Sequence, residues 1–204
     1  MDAAVTRQRE STDERRRAIA AAARALIVEK GFEGLRTRDI AERVGINIAT
    51  LHYHVPTKEA LIALVSETMA AEFRAQTLAR PRSHLSPAEQ LEHEFYDFEE
   101  MMTERKELIG LLSEMMERSR RDPAVAAGVK PLLRKWRELI TAILAAGKAD
   151  GTFRPDLDPV PAAQMLTGAM IGFCRGCGEG PSGFAALTAE LRRAVRNPSS
   201  ELSK

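Results

Sequence analysis

The chain has 204 residues, 44% of them hydrophobic, and a formal net charge of only +1. That length and apolar content suffice for one ordinary domain plus a small one, while the near-neutral balance excludes a protein that coats nucleic acid by bulk electrostatics, so any DNA contact must be local. No apolar run approaches the roughly 20 residues needed to cross a bilayer, and the polar start MDAAVTRQRESTDERRR lacks the apolar stretch of a signal peptide, so a cytoplasmic protein with no membrane partner is expected.

Ala, Leu, Glu, Arg and Met recur at helical spacing and no alternation of β-branched and aromatic residues is sustained, which predicts an all-α fold. Ser11 and Glu14 form a capping box that opens a first helix, with Ile19, Ala23, Leu26 and Ile27 on one face and Lys30-Gly31 at its close. Thr37 is placed to cap a second helix whose Ile40, Ala41 and Val44 face inward, and Gly45 suits the left-handed conformation of a sharp turn. Asn47 then caps a third helix, ending near His54. Pro56 stops it, and Thr57 caps a fourth, longer helix carrying Leu61, Leu64, Val65, Met69 and Phe73 toward Ala79, with Glu59 at the positive end of its dipole.

The stretch RPRSHLSP, from Arg80 to Pro87, breaks the pattern. Three amphipathic helices are predicted beyond it, through Leu91 to Met102, Leu108 to Met116 and Leu132 to Leu144, followed by the loop GKADGTFRPDLDP. The segment VPAAQMLTGAMIGFCRGC reads as a nearly uncharged helix, FAALTAELRRAV as a last one, and the tail after Asn197 as frayed. With so little charge around Met165, Leu166, Met170, Ile171 and Phe173, the penultimate helix is expected to be buried on most sides, its Ala162, Gly168, Ala169 and Gly172 suiting close packing against a symmetry mate.

A wheel of about 100° per residue with Leu51 toward the core places Val55 and Asn47 beside it and Ala49 and Tyr53 opposite, flanked by Thr50 and His52. Two short helices around a glycine turn, the second with a small polar outer face, form a helix-turn-helix arrangement whose second helix fits the major groove. Thr37, Arg38, Tyr53, His54 and Lys58 are then candidate phosphate donors, and Ala49, Thr50 and His52 are candidates to meet base edges or thymine methyls. Arg15, Arg16 and Arg17 add positive charge, partly offset by Asp13 and Glu14.

The stretch GFEGLRTRDIAERVGINIATLHYHVPTKEAL resembles the TetR family of bacterial transcriptional regulators, with Gly31-Phe32, Gly34, Thr37, Ile40-Ala41, Val44-Gly45, Thr50-Leu51, Tyr53, His54 and Lys58-Glu59 at that family's spacing. His52 stands where tyrosine is common and Val55 where phenylalanine is common; Asn47 and Thr57 replace serines and keep a capping oxygen. The resemblance implies a helix-turn-helix head in residues 1–56, with residues 1–10 a disordered arm, a ligand-binding and dimerisation domain in 57–197, and a tail in 198–204. It further implies a homodimer joined through the last two helices, double-stranded operator DNA as partner, and a small, largely apolar ligand that changes the spacing of the two heads. Candidate dimer residues are Met165, Gly168, Gly172, Leu187 and Leu191, and candidate ligand residues are Phe95, Phe98, Met102, Met115, Trp136 and Met170.

Other chemistries have weaker support. His52 and His54 diverge by about 200° on a helix and cannot chelate one ion. Cys174 and Cys177 lack two further zinc ligands or the βαβ setting of a redox motif, and read as reduced thiols. Glu92, Glu94, Asp97, Glu99 and Glu100 read as a solvated helix face, although one carboxylate turned inward could select a cationic ligand. No G-x-S-x-G, glycine-rich phosphate loop or H-E-x-x-H motif occurs, so neither an enzyme nor a cofactor is expected. A DNA-binding regulator without an effector, or a helical enzyme or carrier with a vestigial head, are the alternatives.

Overall fold

The computed structural model describes residues 12–175 and 180–198. The Ser11 cap, the 1–10 arm, Cys177 and residues 199–204 lie outside the described residues. Helix α1 (Thr12–Lys30) buries Ile19, Ala20, Ala23, Leu26 and Ile27. It ends where Gly31, at φ 66°, donates its N–H to the Ile27 carbonyl at 2.8 Å. A short 3-10 turn over Phe32–Gly34 leads to α2 (Thr37–Val44), α3 (Ile48–His54) and α4 (Lys58–Ala79). The expected caps of α3 and α4 are present: Asn47 Oδ1 accepts from the Thr50 N–H at 2.7 Å and Thr57 Oγ1 from the Ala60 N–H at 3.1 Å. The expected Thr37 cap is not. Arg36, in an extended conformation, precedes α2 without a side-chain cap, and Thr37 is the first helical residue.

Beyond the Arg80–Pro87 break come α5 (Pro87–Thr103), α6 (Lys106–Arg118), α7 (Pro123–Ala149), α8 (Pro159–Arg175) and α9 (Gly180–Val195). Ser86 and Glu89 form a capping box on α5, a signal that was readable in the sequence. Helix α7 begins well before Leu132, because Asp122 Oδ1 accepts from the Ala124 and Val125 N–H groups, and it continues through Pro131. The described residues contain no strand; an isolated bridge between Phe153 and Arg196 ties the α7–α8 loop to the end of α9. No described helix is long and apolar enough to cross a membrane.

Helix α4 packs on α1 in the head and on α7 in the larger unit, and α7 packs in turn on α8. At one point α4 and α7 approach so closely that a Cβ on Gly128 would lie 2.7 Å from the Ser66 Cβ and overlap its hydroxyl. Helix α8 is not buried on most sides as its composition suggests. Ala162, Ala163, Leu166, Thr167 and Met170 face α7 and α9, while Met165, Gly168 and Gly172 are exposed, because no element among the described residues covers their side. Ala162 belongs to the covered face, contrary to expectation.

The break at Arg80 is also more than a linker. Arg80 donates to Glu100 at 2.7 Å and also pairs with Asp97, while Arg82 bridges Glu94 and Asp97. Gln76 adds bonds to Glu100 at 2.7 Å and to the Asp97 carbonyl at 3.1 Å. Three of the five acidic residues expected on a solvated face are thus clamped to the end of α4 and its following loop, and Glu94 is only 5% exposed. The Arg80 guanidinium and the Gln76 amide hold the Glu100 carboxyl down to about 2, whereas burial pushes Glu94 up against the opposing pull of Arg82.

Two stability predictions follow from this packing. Gly128→Ala should gain about 1 kcal/mol of helix propensity but lose more to overpacking against Ser66; a net loss of about 1–2 kcal/mol in urea unfolding is expected, and an unchanged or raised stability would contradict the close approach. For Glu100, the folded-state pKa lies below the unfolded carboxylate value of about 4.3. Its contribution is therefore complete above that value and is lost as pH falls toward 2. Glu100→Gln should start less stable at pH 7 and show a shallower decline between pH 5 and 2 than the parent.

Candidate nucleic-acid interface

Helix α3, the second of the helix-turn-helix pair, is fixed from behind and free in front. Leu51 is 0% exposed, Val55 is buried beside it, and Ile40 and Ala41 of α2 complete the seat against α1. The start of α3 is held by the Asn47 cap, and its end by α1, where Arg16 Nη1 donates to the His54 carbonyl at 3.1 Å. That bond satisfies one of the helix's last carbonyls and fixes the orientation of α3 from outside it. Ala49 and His52 are exposed and Tyr53 is 81% exposed, its ring edge-on to His54 at 5.2 Å. Thr50, at the margin of this face on the wheel, is half-buried, as is His54, about 60° from Leu51.

Charge around α3 is sorted by pairing. Arg43 makes a two-pronged bond to Glu29, both arms at 2.9 Å, and Lys30 lies 3.5 Å from Asp39. Arg36 and Arg38 are exposed and make no ion pair among the described residues, so the cations left for an anionic partner cluster with Thr37 at the start of α2. Arg16, expected only as added positive charge, instead anchors the end of α3. Two further contributors carried no signal in the sequence: Arg36 was hidden in an arginine-rich background, and Ile48 sits only about 60° from Leu51 on the wheel yet is 44% exposed.

Lys58, a candidate phosphate donor, lies 3.7 Å from Asp122, the residue that caps α7. Arg118 of α6 bonds the same carboxylate at 3.4 Å, pairs with Glu33 and lies over the Phe32 ring at 5.9 Å. The rim of the head is thereby joined to the ends of α6 and α7.

Helices α4 to α7 enclose an open cavity of about 460 Å³, within the size range of small-ligand sites. Phe98 and Trp136 line it, their rings stacked 5.7 Å apart, together with Phe73, Met101 and Leu132. The other four expected ligand residues are not among those that line it. Met115 and Met170 are enclosed in the core, Met102 packs against that core half-buried, and Phe95 borders a separate cleft between α5 and α9. Apolar periodicity cannot separate a core wall from a cavity wall, since both bury the same face.

Of the expected dimer residues, Met165 is 43% exposed, Gly168 and Gly172 are exposed with nothing within 4 Å of an added Cβ, and Leu187 is half-buried. Leu191 is buried inside its own chain, which removes it from that group. Burial pushes the Cys174 thiol up to about 11.

Residues 19–65 match the tetR family of bacterial regulatory proteins, and residues 87–197 match the C-terminal region of BetI-type transcriptional repressors. The chain is 27% identical over 154 residues to the HTH-type transcriptional regulator UidR of Escherichia coli K12, spanning 74% of this chain and 75% of UidR. It is 28% identical over 140 residues to the HTH-type transcriptional repressor KstR2 of Mycolicibacterium smegmatis, spanning 67% and 66% of the two chains. Among solved structures, a TetR-family regulator from Rhodococcus sp. superposes with a TM-score of 0.79 at 22% identity, over 88% of this chain and 98% of that one. A transcriptional regulator from Saccharomonospora viridis in complex with choline gives 0.79 at 21% identity, over 90% and 98%. With the head matched through the start of α4 and the second unit matched over more than half of the sequence, the chain belongs to the TetR family of bacterial transcriptional regulators.

Proposed function

We propose that the protein is a homodimeric repressor that binds a palindromic operator through α3 and is released when a small molecule enters the cavity between α4 and α7. The observation that carries this reading is the two-sided construction of α3, anchored behind by Leu51, Asn47 and Arg16 and presenting Ala49, His52 and Tyr53 outward without commitment to the protein core. Residues 1–56 form the DNA-binding head and 57–197 the ligand-binding and dimerisation unit, with α4 belonging mechanically to both.

In a dimer, two copies of α3 enter successive major grooves about 34–36 Å apart. Ala49, Thr50, His52 and Ile48 meet base edges and thymine methyls. Thr37, Arg38, Tyr53, His54 and Lys58 hold phosphates, with Arg36 beside them. Ligand binding acts by favouring a head spacing that no longer matches the operator, and only as far as it binds the two spacings differently. The Lys58–Asp122 contact supports a route for that coupling, since it joins a phosphate donor to the helix that forms one cavity wall. The choline-bound relative from S. viridis supports small-molecule binding by this fold. For the dimer contact, the support is the exposed face of α8 formed by Met165, Gly168 and Gly172, beside Val160 at 65% exposure.

Two measurements test these assignments. Tyr53→Ala with Lys58→Ala should lower operator affinity at least tenfold in a gel-shift titration and flatten the salt dependence by about one ion per phosphate contact removed, with the thermal midpoint nearly unchanged; full affinity in the double variant would remove the groove assignment. Gly168→Leu with Gly172→Leu leaves the protomer undisturbed, since both positions face open space. Sedimentation velocity should show it shifted to monomer, and an intact dimer would displace the interface from this face of α8.

A further inference from the structure

The charges around the cavity select a ligand class, an inference that rests on reading the cavity as the effector site. Its inner polar groups are already satisfied. Glu94 accepts from Trp136 Nε1 at 2.9 Å with one oxygen and pairs with Arg82 through the other. Asp97 is held by Arg80 and Arg82, and the Gln76 amide nitrogen is shared between the Asp97 carbonyl and Glu100. The deep end therefore presents aromatic and aliphatic surface, with no carboxylate left free to receive a cation.

The mouth is different. Arg74 of α4 and Lys135 of α7 both line the cavity, both are exposed, and neither makes an ion pair among the described residues. Leu78 and Leu139 stand exposed at the same opening. Around the cavity and its clamp, the four cations Arg74, Lys135, Arg80 and Arg82 outnumber the three carboxylates Glu94, Asp97 and Glu100. An ammonium ligand would meet an excess of positive charge. An anion would meet two uncommitted donors, one of them a guanidinium whose planar fork matches a carboxylate.

We propose that the cavity takes an amphipathic carboxylate, with a compact apolar body against Phe73, Phe98 and Trp136 and its carboxylate held at the mouth by Arg74 and Lys135. Trp136 is the only tryptophan in the chain and lines the cavity, so its fluorescence reports occupancy directly. The test titrates the full-length protein with three probes that share a ten-carbon chain and differ in the head: decanoate, decanol and decyltrimethylammonium.

Decanoate should bind about tenfold tighter than either of the others, and Arg74→Gln with Lys135→Gln should bring it down to the decanol affinity without changing decanol binding. Tightest binding by decyltrimethylammonium, equal binding of all three, or no response of Trp136 to any of them would overturn the proposal. Operator release is measured separately on the same samples. Decanoate that occupies the cavity without loosening DNA would refute ligand-controlled release and leave the ligand class intact, whereas intact operator binding with no decanoate response would refute the ligand class alone.

Discussion

Between Ser66 on α4 and Gly128 on α7 there is no room for a Cβ, and the rest of the molecule is arranged around that close approach. It brings the backbones of two long helices together at the point where the head meets the larger unit. On its far side α4 packs against α1, the central helix of the head. A packed contact of this kind transmits displacement, because protein interiors are dense and resist compression. In the proposed function, a change in the cavity that shifts α4 is carried through this contact to α1, and with it to α3. The Arg118–Asp122–Lys58 chain of polar contacts runs beside this route and ends at Lys58 on the rim of the head.

The electrostatics follow the same economy. A chain with a formal net charge of +1 cannot attract DNA globally. Several of its cations are paired in place, with Glu29, Asp39, Glu72, Asp97 and Glu100 among the partners, while Arg36 and Arg38 at the start of α2 and Arg74 and Lys135 at the cavity mouth make no ion pair among the described residues. Such placement favours affinity at chosen points over nonspecific binding along any duplex.

The head was the most readable part of the sequence because its geometry depends on local signals. Asn47 and Thr57 cap where they stand, Gly45 turns the chain at φ 73°, and Leu51 fixes which side of α3 faces out. The Thr37 cap failed by one position, since Arg36 takes the extended conformation that a cap residue needs without having an oxygen to offer. The second unit was less readable. Its helices could be counted from periodicity, but Met115 and Met170 share the apolar spacing of Phe98 and Trp136 and only the three-dimensional packing separates core from cavity wall. The acidic run on α5 looked like a solvent face because its partners, Arg80 and Arg82, lie in a segment that reads as a linker. The apolar content of α8 predicted burial on most sides, and periodicity could not show that Met165, Gly168 and Gly172 stay exposed among the described residues.

In the proposed function, α3 reads DNA from a locally charged, otherwise near-neutral surface. The most direct test is fluorescence anisotropy of the purified protein on the DNA upstream of its own gene, titrated across salt with random-sequence duplex as competitor. Saturable binding to a palindromic segment is expected, resisting the competitor and weakening steeply as salt rises, with a slope set by the few phosphates within reach of α2, α3 and Lys58. Binding that random duplex displaces equally well, or that does not respond to salt, would contradict it.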